Sequence, residues 1–223
     1  MPLLTTALFA LAHVLVFVYW LGGDLGAFYA SRYLTRAGVS PDRRLFAAGL
    51  VGDIDMAPRT ALILTLPTGL ALATAKGWIP LSWSAVGTVS ALCAAWLGIA
   101  WALHLSHGGA SGVLKSIDLF FRWALIIGLI GAATGALAGL VAVPLFIAVK
   151  LIILAGCVSL GLLIRHTLAP LFPALSVLAA DGASREAEEA IRDTLVRARP
   201  QVKAIWALLV AAALLGLWAP TGP

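Results

Sequence analysis

The chain has 223 residues, of which 61% are hydrophobic and only 11% are charged. Soluble globular domains carry about one quarter charged residues, so this composition excludes an ordinary soluble protein. The formal net charge is +5, but the basic residues flank apolar segments, so no nucleic-acid partner is expected. The composition therefore predicts an integral protein of the lipid bilayer.

Six apolar segments predict the architecture. About 20 residues suffice to cross ~30 Å of hydrocarbon as a helix, and a lipid-exposed backbone must satisfy its own polar groups. The sequence therefore predicts an all-α, polytopic membrane helical bundle that forms a single domain over residues 1–223. The six expected transmembrane spans, in chain order, are roughly Leu3–Gly26, Leu45–Ala75, Trp83–Leu105, Leu119–Leu140, Val143–Arg165 and Val202–Trp218.

The basic residues predict an orientation, because Lys and Arg are enriched in cytoplasmic loops. Of the 15 basic residues, 11 follow spans one, three and five, and only Lys76 lies in an opposite loop. We expect a bacterial inner-membrane protein with both termini outward and the main charged loop, residues 166–201, in the cytoplasm.

An amphipathic cytoplasmic helix is predicted over residues 181–200. Asp181 or Ser184 can cap its start, where acidic residues cluster, and basic residues lie near its end. Pro200 is expected to kink or end it. The segment is either a lipid-surface or partner-binding helix or a solvated extension of span six.

The stretch "DIDMAPR", which begins at Asp53, places charges inside an apolar span. Asp55 and Arg59 are four residues apart and predict an ion pair on one helix face, with Asp53 on another face. Pro58 removes the usual donor to the carbonyl of Ile54 and predicts a kink. Asp53, Asp55 and Arg59 are therefore candidate catalytic residues in a buried polar site. The alternative is an ion pair that only fixes helix packing.

The four histidines suggest a haem b cofactor, because imidazole ligates haem iron and arginine suits its propionates. His104 or His107 could meet His166 if spans three and five are neighbours, whereas His13 would need a second haem or a partner such as Met56. A histidine in a hydrogen-bonded core is the alternative for each. The candidate metal ligands are His13, His104, His107 and His166, with Arg59 and Arg122 placed near the propionates.

Span four contains Gly131, Gly135 and Gly139, a small-xxx-small spacing that allows helix backbones to approach closely. This spacing predicts either a homodimer face or close packing inside the bundle.

The stretch "AHVLVFVYWLGGDLGAFYASRYL" resembles the first helix of the membrane superfamily that contains HemJ-type protoporphyrinogen oxidases and CopD-type copper-resistance proteins. "FIAVKLIILAG" resembles a later helix of that superfamily, which begins with a lysine. The resemblance implies a haem b protein with His13 close to the haem and Lys150 in the same pocket, and it adds Trp20 to the cofactor-binding candidates. The matching positions of the first helix are His13, Trp20, Gly22, Gly23, Tyr29 and Arg32.

Together these features predict a membrane haem protein, a candidate oxidoreductase, that carries out redox chemistry or transmembrane electron transfer with an electron-transfer partner. Asp24, Asp53 and Asp55 would take up protons. One alternative is a haem-free, proton- or cation-coupled transporter that uses Asp53, Asp55 and Arg59, with Pro58 as a hinge. Another is a non-catalytic membrane subunit.

Overall fold

The computed structural model describes residues 3–106, 109, 111–182 and 184–219. In that part of the chain all regular secondary structure is helical, as the sequence predicts. A 3₁₀ helix, Ser31–Thr35, follows the first α-helix. The α-helices are α1 Leu3–Ala30, α2 Pro41–Ile54, α3 Met56–Ala75, α4 Trp83–Leu105, α5 Gly112–Leu137, α6 Leu145–Thr167, α7 Leu171–Asp181 and α8 Arg185–Leu217.

Five helical segments of the described chain are long and apolar enough to cross a membrane. They match five of the six predicted spans, although the second consists of α2 and α3 together. The fourth predicted span is α5, a helix of 26 residues with Lys115, Asp118 and Arg122 in its first half. The five segments are Leu3–Thr35, Pro41–Ala75, Trp83–Leu105, Leu145–Ala180 and Arg185–Leu217.

α1 and α3 form the closest helix pair, and they run antiparallel. A Cβ atom added at Gly23 would lie 2.7 Å from both Ala57 Cβ and Pro58 Cδ, whereas one added at Gly69 would lie 3.1 Å from His13 Cε1. Glycine at position 23 lets α1 and α3 approach closely without a steric clash, and glycine at position 69 makes room for the His13 ring. α1 and α3 therefore form a closely packed antiparallel pair within the bundle.

The main hydrophobic core joins α1, α3, α4, α5, α6 and α8. The indole of Trp96 stacks on Phe121 with a centroid distance of 5.8 Å and an interplanar angle of 6°. Cys93 and Cys157 are free, buried members of this core. They pack as small apolar residues.

A second core lies at the end of the bundle where α1 ends and α8 begins, which we call the charged end. Leu34, Leu178 and Ile191 are fully buried there between the 3₁₀ helix, α7 and α8. The guanidinium of Arg44 donates to Glu188 Oε1 at 2.8 Å and to two backbone carbonyls of the loop before α2. This buried arginine ties α2 to α8.

α8 continues through Pro200, so of the two expectations at this proline the helix end is wrong and the kink stays a prediction. Ser184 caps the helix by accepting a hydrogen bond from Ala187 N at 3.2 Å, as the sequence predicts. The amphipathic segment is therefore an extension of the last apolar helix. One face of it is packed in the second core, through Ile191 and Leu195, and not solvated.

The glycine repeat of α5 differs from its expected helical stripe. Gly139 lies beyond the helix with φ +73° and donates to Ala136 O at 3.1 Å, while Leu140 N donates to Gly135 O at 2.9 Å. These bonds form a Schellman ending, in which glycine adopts the left-handed conformation without strain. A Cβ atom at Gly131 or Gly135 would meet nothing within 4 Å. These two glycines therefore do not serve close packing inside the chain, and the homodimer face stays a prediction.

Candidate functional site

The helix break at Asp55 lies inside the "DIDMAPR" stretch. α2 ends at Ile54 and α3 begins at Met56, so the helical path is interrupted one turn before Pro58. Proline has no backbone N–H, so the carbonyl of Ile54 loses its usual helical donor. Arg59 N reaches Asp55 O only at a long 3.4 Å. The helix is therefore interrupted at Asp55, beside the proline where the kink was predicted.

Asp55 and Arg59 form the ion pair that their spacing predicts. Their side chains are 36% and 46% exposed, so the prediction of a buried pair is wrong. Both side chains project from the outer face of the helix junction because the inner face is occupied by Met56 and Pro58, which are buried. Asp53 is more exposed still, at 74%, and its Oδ1 lies 3.2 Å from His104 Nε2.

Asp24 is a partly buried carboxylate beside this junction. Its Oδ2 atom is buried and has no hydrogen-bond partner among the described residues. Trp20 and Asp55 both lie close enough to the Asp24 carboxylate to interact with it. An unpaired polar atom in an apolar interior is costly, and Asp24 is the one carboxylate among the five described side chains that have such an atom. The sequence placed Asp24 at the end of the first span but gave no sign of the unpaired oxygen.

Asp118 organises a separate charged cluster. Its carboxylate is fully buried and accepts hydrogen bonds from Trp96 Nε1 at 2.9 Å and from Arg122 Nε at 3.1 Å. Arg165 Nη2 lies 3.0 Å from the same carboxylate. Arg122, which was expected near haem propionates, is 6% exposed. Its Nη2 also donates a hydrogen bond to Asp118 Oδ1 at 3.4 Å. The spacing of four between Asp118 and Arg122 was visible in the sequence, whereas the long-range partners were not.

His13 lies against the α3 backbone. Its Nδ1 is 2.9 Å from Thr68 Oγ1, and the Thr68 hydroxyl is 2.7 Å from Leu64 O. A hydroxyl has one proton, and donation to Leu64 O leaves Thr68 as the acceptor toward His13. The geometry therefore assigns the proton to Nδ1 and leaves Nε2 with its lone pair. Lys150 is near enough to interact electrostatically with His13.

Lys150 packs against the end of α8. Its Nζ lies only 2.5 Å from the position of a Cβ atom at Gly216, so this glycine makes room for the ammonium group. Among the described residues no carboxylate lies within salt-bridge distance of Lys150. The structure thus places His13 and Lys150 within electrostatic range of each other.

The remaining histidines do not assemble with His13. His104 meets Asp53 and packs edge-on against Trp101 at 6.0 Å, while His166 is exposed in the last turn of α6. No hydrogen bond or ring contact joins His104 to His166 in the described chain. His107 lies outside the described residues.

In the part of the chain that is described, no group of three or more His, Cys, Asp or Glu side chains is placed to hold a metal ion. Two surface depressions of about 570 Å³ each lie along the first helix, and neither is lined by a histidine. Haem needs only one or two axial ligands, so the haem expectation stays a prediction, with His13 Nε2 as a candidate ligand atom.

Comparison with protein-family models, with curated proteins and with solved structures gave no match. The resemblance to the HemJ- and CopD-type superfamily therefore rests on the quoted residues alone and stays a prediction.

Proposed function

We propose that this chain is an integral membrane protein that exchanges protons for a monovalent cation across the bilayer, without haem. The observation that carries the proposal is the partly buried Asp24 carboxylate, whose buried Oδ2 atom has no hydrogen-bond partner among the described residues. A carboxylate in this setting can hold either a proton or a cation, and competition between the two at one group is the basis of exchange. Intramembrane ionisable residues commonly mark such pathways.

Access to Asp24 runs through the junction of α2 and α3. Asp55 interacts electrostatically with Asp24 and is itself 36% exposed with its partner Arg59. Asp53 lies farther toward the charged end and is 74% exposed, and the half-buried His104 lies 3.2 Å from it. In this proposal these groups form a polar route from the charged end to Asp24, and Asp53, Asp55 and Arg59 act in it as relay groups.

The break between α2 and α3 would allow these two helices to change their relative angle during exchange. Discontinuous helices beside a midplane site are typical of secondary transporters. Pro58 packs on Gly23, where no side chain separates α1 from α3, so the junction can pivot on this contact. Proton or cation occupancy of Asp24 would bias the angle between the two helices.

The distribution of basic residues supports an orientation for this transport. The charged end carries 11 of the 15 basic residues, so we place it in the cytoplasm and both termini outside, in a bacterial inner membrane. The relay groups then open toward the cytoplasm. In this arrangement Asp24 would exchange its proton or cation with the cytoplasm, and the change of angle between α2 and α3 would open it to the outer side.

The test uses purified full-length protein in liposomes that contain a pH-sensitive dye. A sodium or potassium gradient imposed across the membrane should change the internal pH, and Asp24→Asn should reduce the initial rate at least tenfold. Asp193→Asn, which removes an exposed carboxylate from α8, is the matched control and should keep the rate. If neither cation gradient changes the internal pH beyond that of protein-free liposomes, the proposal is wrong.

A second candidate function is supported by His13. Its Nε2 is left without the proton, and Lys150 is close enough to face an anionic group of a bound cofactor. One b-type haem on His13 would supply redox chemistry, and Lys150 would hold a propionate. Absorption spectra of oxidised and dithionite-reduced protein would test it, because His13→Ala should abolish the haem bands and His166→Ala should not. A colourless protein after haem reconstitution would eliminate this candidate.

A further inference from the structure

A basic, aromatic cavity lies just beyond the apolar part of α1. It is an open depression of the surface with a volume of about 570 Å³, lined by the last turn of α1, by the 3₁₀ helix and by Arg36, which directly follows that helix. The lining residues are Tyr29, Ala30, Arg32, Tyr33, Thr35 and Arg36. None of them belongs to the proposed proton route.

The two arginines are held by aromatic rings. The guanidinium carbon of Arg32 lies 4.3 Å from the ring centroid of Tyr29, and that of Arg36 lies 5.5 Å from the ring centroid of Tyr33. Stacking on an aromatic face orients a guanidinium while leaving its N–H groups free to donate. The cavity therefore presents two oriented, bidentate donors.

The positive charge of the cavity is not neutralised within the described chain. No carboxylate lies within 4.0 Å of either Arg32 or Arg36 there, and the nearby Glu188 is committed to Arg44 at 2.8 Å. Arg44 also donates to the backbone carbonyl of Arg36 at 3.3 Å, which fixes the end of the 3₁₀ helix. The site is thus anchored by the second core and still carries a surplus of two positive charges.

The cavity lies at the level of the lipid headgroups, which indicates the class of ligand it binds. Tyr29 and Tyr33 are 55% and 50% exposed at the end of an apolar helix, where tyrosines lie at the level of lipid headgroups. Arginines at this level attract anionic lipids, and planar guanidinium groups match phosphate oxygens. The tyrosine hydroxyls add further donors.

We propose that this cavity binds the phosphate of an anionic lipid headgroup. Arg32 and Arg36 would clamp the phosphate oxygens, and the acyl chains would lie along the apolar surface of α1. The inference depends on the protein being embedded in a bilayer and is independent of proton exchange.

The experiment titrates the detergent-solubilised full chain with phosphatidylglycerol, and in parallel with phosphatidylcholine, by native mass spectrometry. Arg32→Gln with Arg36→Gln should weaken phosphatidylglycerol binding by roughly thirtyfold, because each basic group near the surface contributes about fivefold. The double variant Arg43→Gln with Arg197→Gln removes the same net charge from exposed positions outside the cavity and should bind as the wild type does. Arg32→Lys with Arg36→Lys keeps the charge but loses the planar fork, so it should give an intermediate affinity even if the glutamine variant fails to fold.

Two results would overturn the proposal. If the cavity variant and its charge-matched control lose the same affinity for phosphatidylglycerol, general surface charge and not the cavity binds the lipid. Saturable binding of inorganic phosphate that is lost in the cavity variant, together with no preference for phosphatidylglycerol over phosphatidylcholine, would assign the cavity to a soluble phosphate compound. A proton-exchange failure with intact lipid selectivity would leave this site unaffected.

Discussion

Trp96 donates a hydrogen bond of 2.9 Å from its indole Nε1 to Oδ1 of the fully buried Asp118. The same carboxylate accepts from Arg122 on its own helix and pairs with Arg165 at the end of α6. One carboxylate therefore links α4, α5 and α6. Since the Arg122 guanidinium also lies 5.7 Å from the Trp96 ring centroid, the four side chains form one closed cluster.

Removing the Asp118 charge should destabilise the bundle. Asp118→Asn leaves Arg122 buried without its counter-charge, a situation that costs about 3–5 kcal/mol. Trp96→Phe preserves the aromatic stack but leaves one carboxylate oxygen without its donor, and should cost about 1–3 kcal/mol. Thermal unfolding in detergent, with Asp193→Asn as the exposed control, measures both. An unfolding midpoint for Asp118→Asn that equals the wild-type value would contradict the role of the cluster.

The two arginine–aspartate pairs should differ in coupling energy. Asp55 and Arg59 are more than one third exposed, and such pairs contribute about 0–1 kcal/mol, whereas Asp118 and Arg122 are buried. Parallel double-mutant cycles, with asparagine replacing each aspartate and leucine each arginine, should give a coupling energy at least twice as large for the buried pair. Equal coupling energies in the two cycles would show that exposure does not distinguish them.

The spacing of charges predicted the pair of Asp55 and Arg59, because residues four apart share a helix face whatever surrounds them. Asp118 and Arg122 have the same spacing, but their pair was not predicted. Burial was not predictable at Asp55, since an apolar flanking sequence does not show which helix face the neighbouring helices cover. The Trp96 and Arg165 contacts with Asp118 depend on which helices are neighbours, and no local pattern encodes that. The cap at Ser184 was predictable because it depends only on nearby residues. The continuation of α8 through Pro200 was not, because tertiary packing on both sides of the proline decides it.

Orientation is tested by cysteine labelling on intact cells. Lys76 lies after α3 at the end opposite the charged end, and Arg192 lies on the extension of α8. In a background with Cys93 and Cys157 replaced by alanine, an impermeant thiol reagent should label Lys76→Cys directly. Arg192→Cys should react only after the cells are broken. Direct labelling of Arg192→Cys alone would reverse the proposed orientation and place the relay groups on the outer side.

The contact between Gly23 and Pro58 can be tested with two neighbouring glycines. A Cβ atom at Gly23 would lie 2.7 Å from Pro58 Cδ, which is closer than any real contact, whereas one at Gly22 would meet nothing within 4 Å. Gly23→Ala should therefore destabilise the protein by about 1–3 kcal/mol through overpacking, and Gly22→Ala should stay close to wild type. Thermal unfolding in detergent measures the stability, and dye-loaded liposomes measure the exchange rate. If α1 and α3 pivot on this contact, Gly23→Ala should also slow exchange at temperatures well below its unfolding midpoint. If Gly23→Ala is destabilised but exchanges at the wild-type rate, Gly23 serves helix packing and not the exchange. Equal effects of Gly22→Ala and Gly23→Ala would mean that α1 and α3 do not approach each other as described.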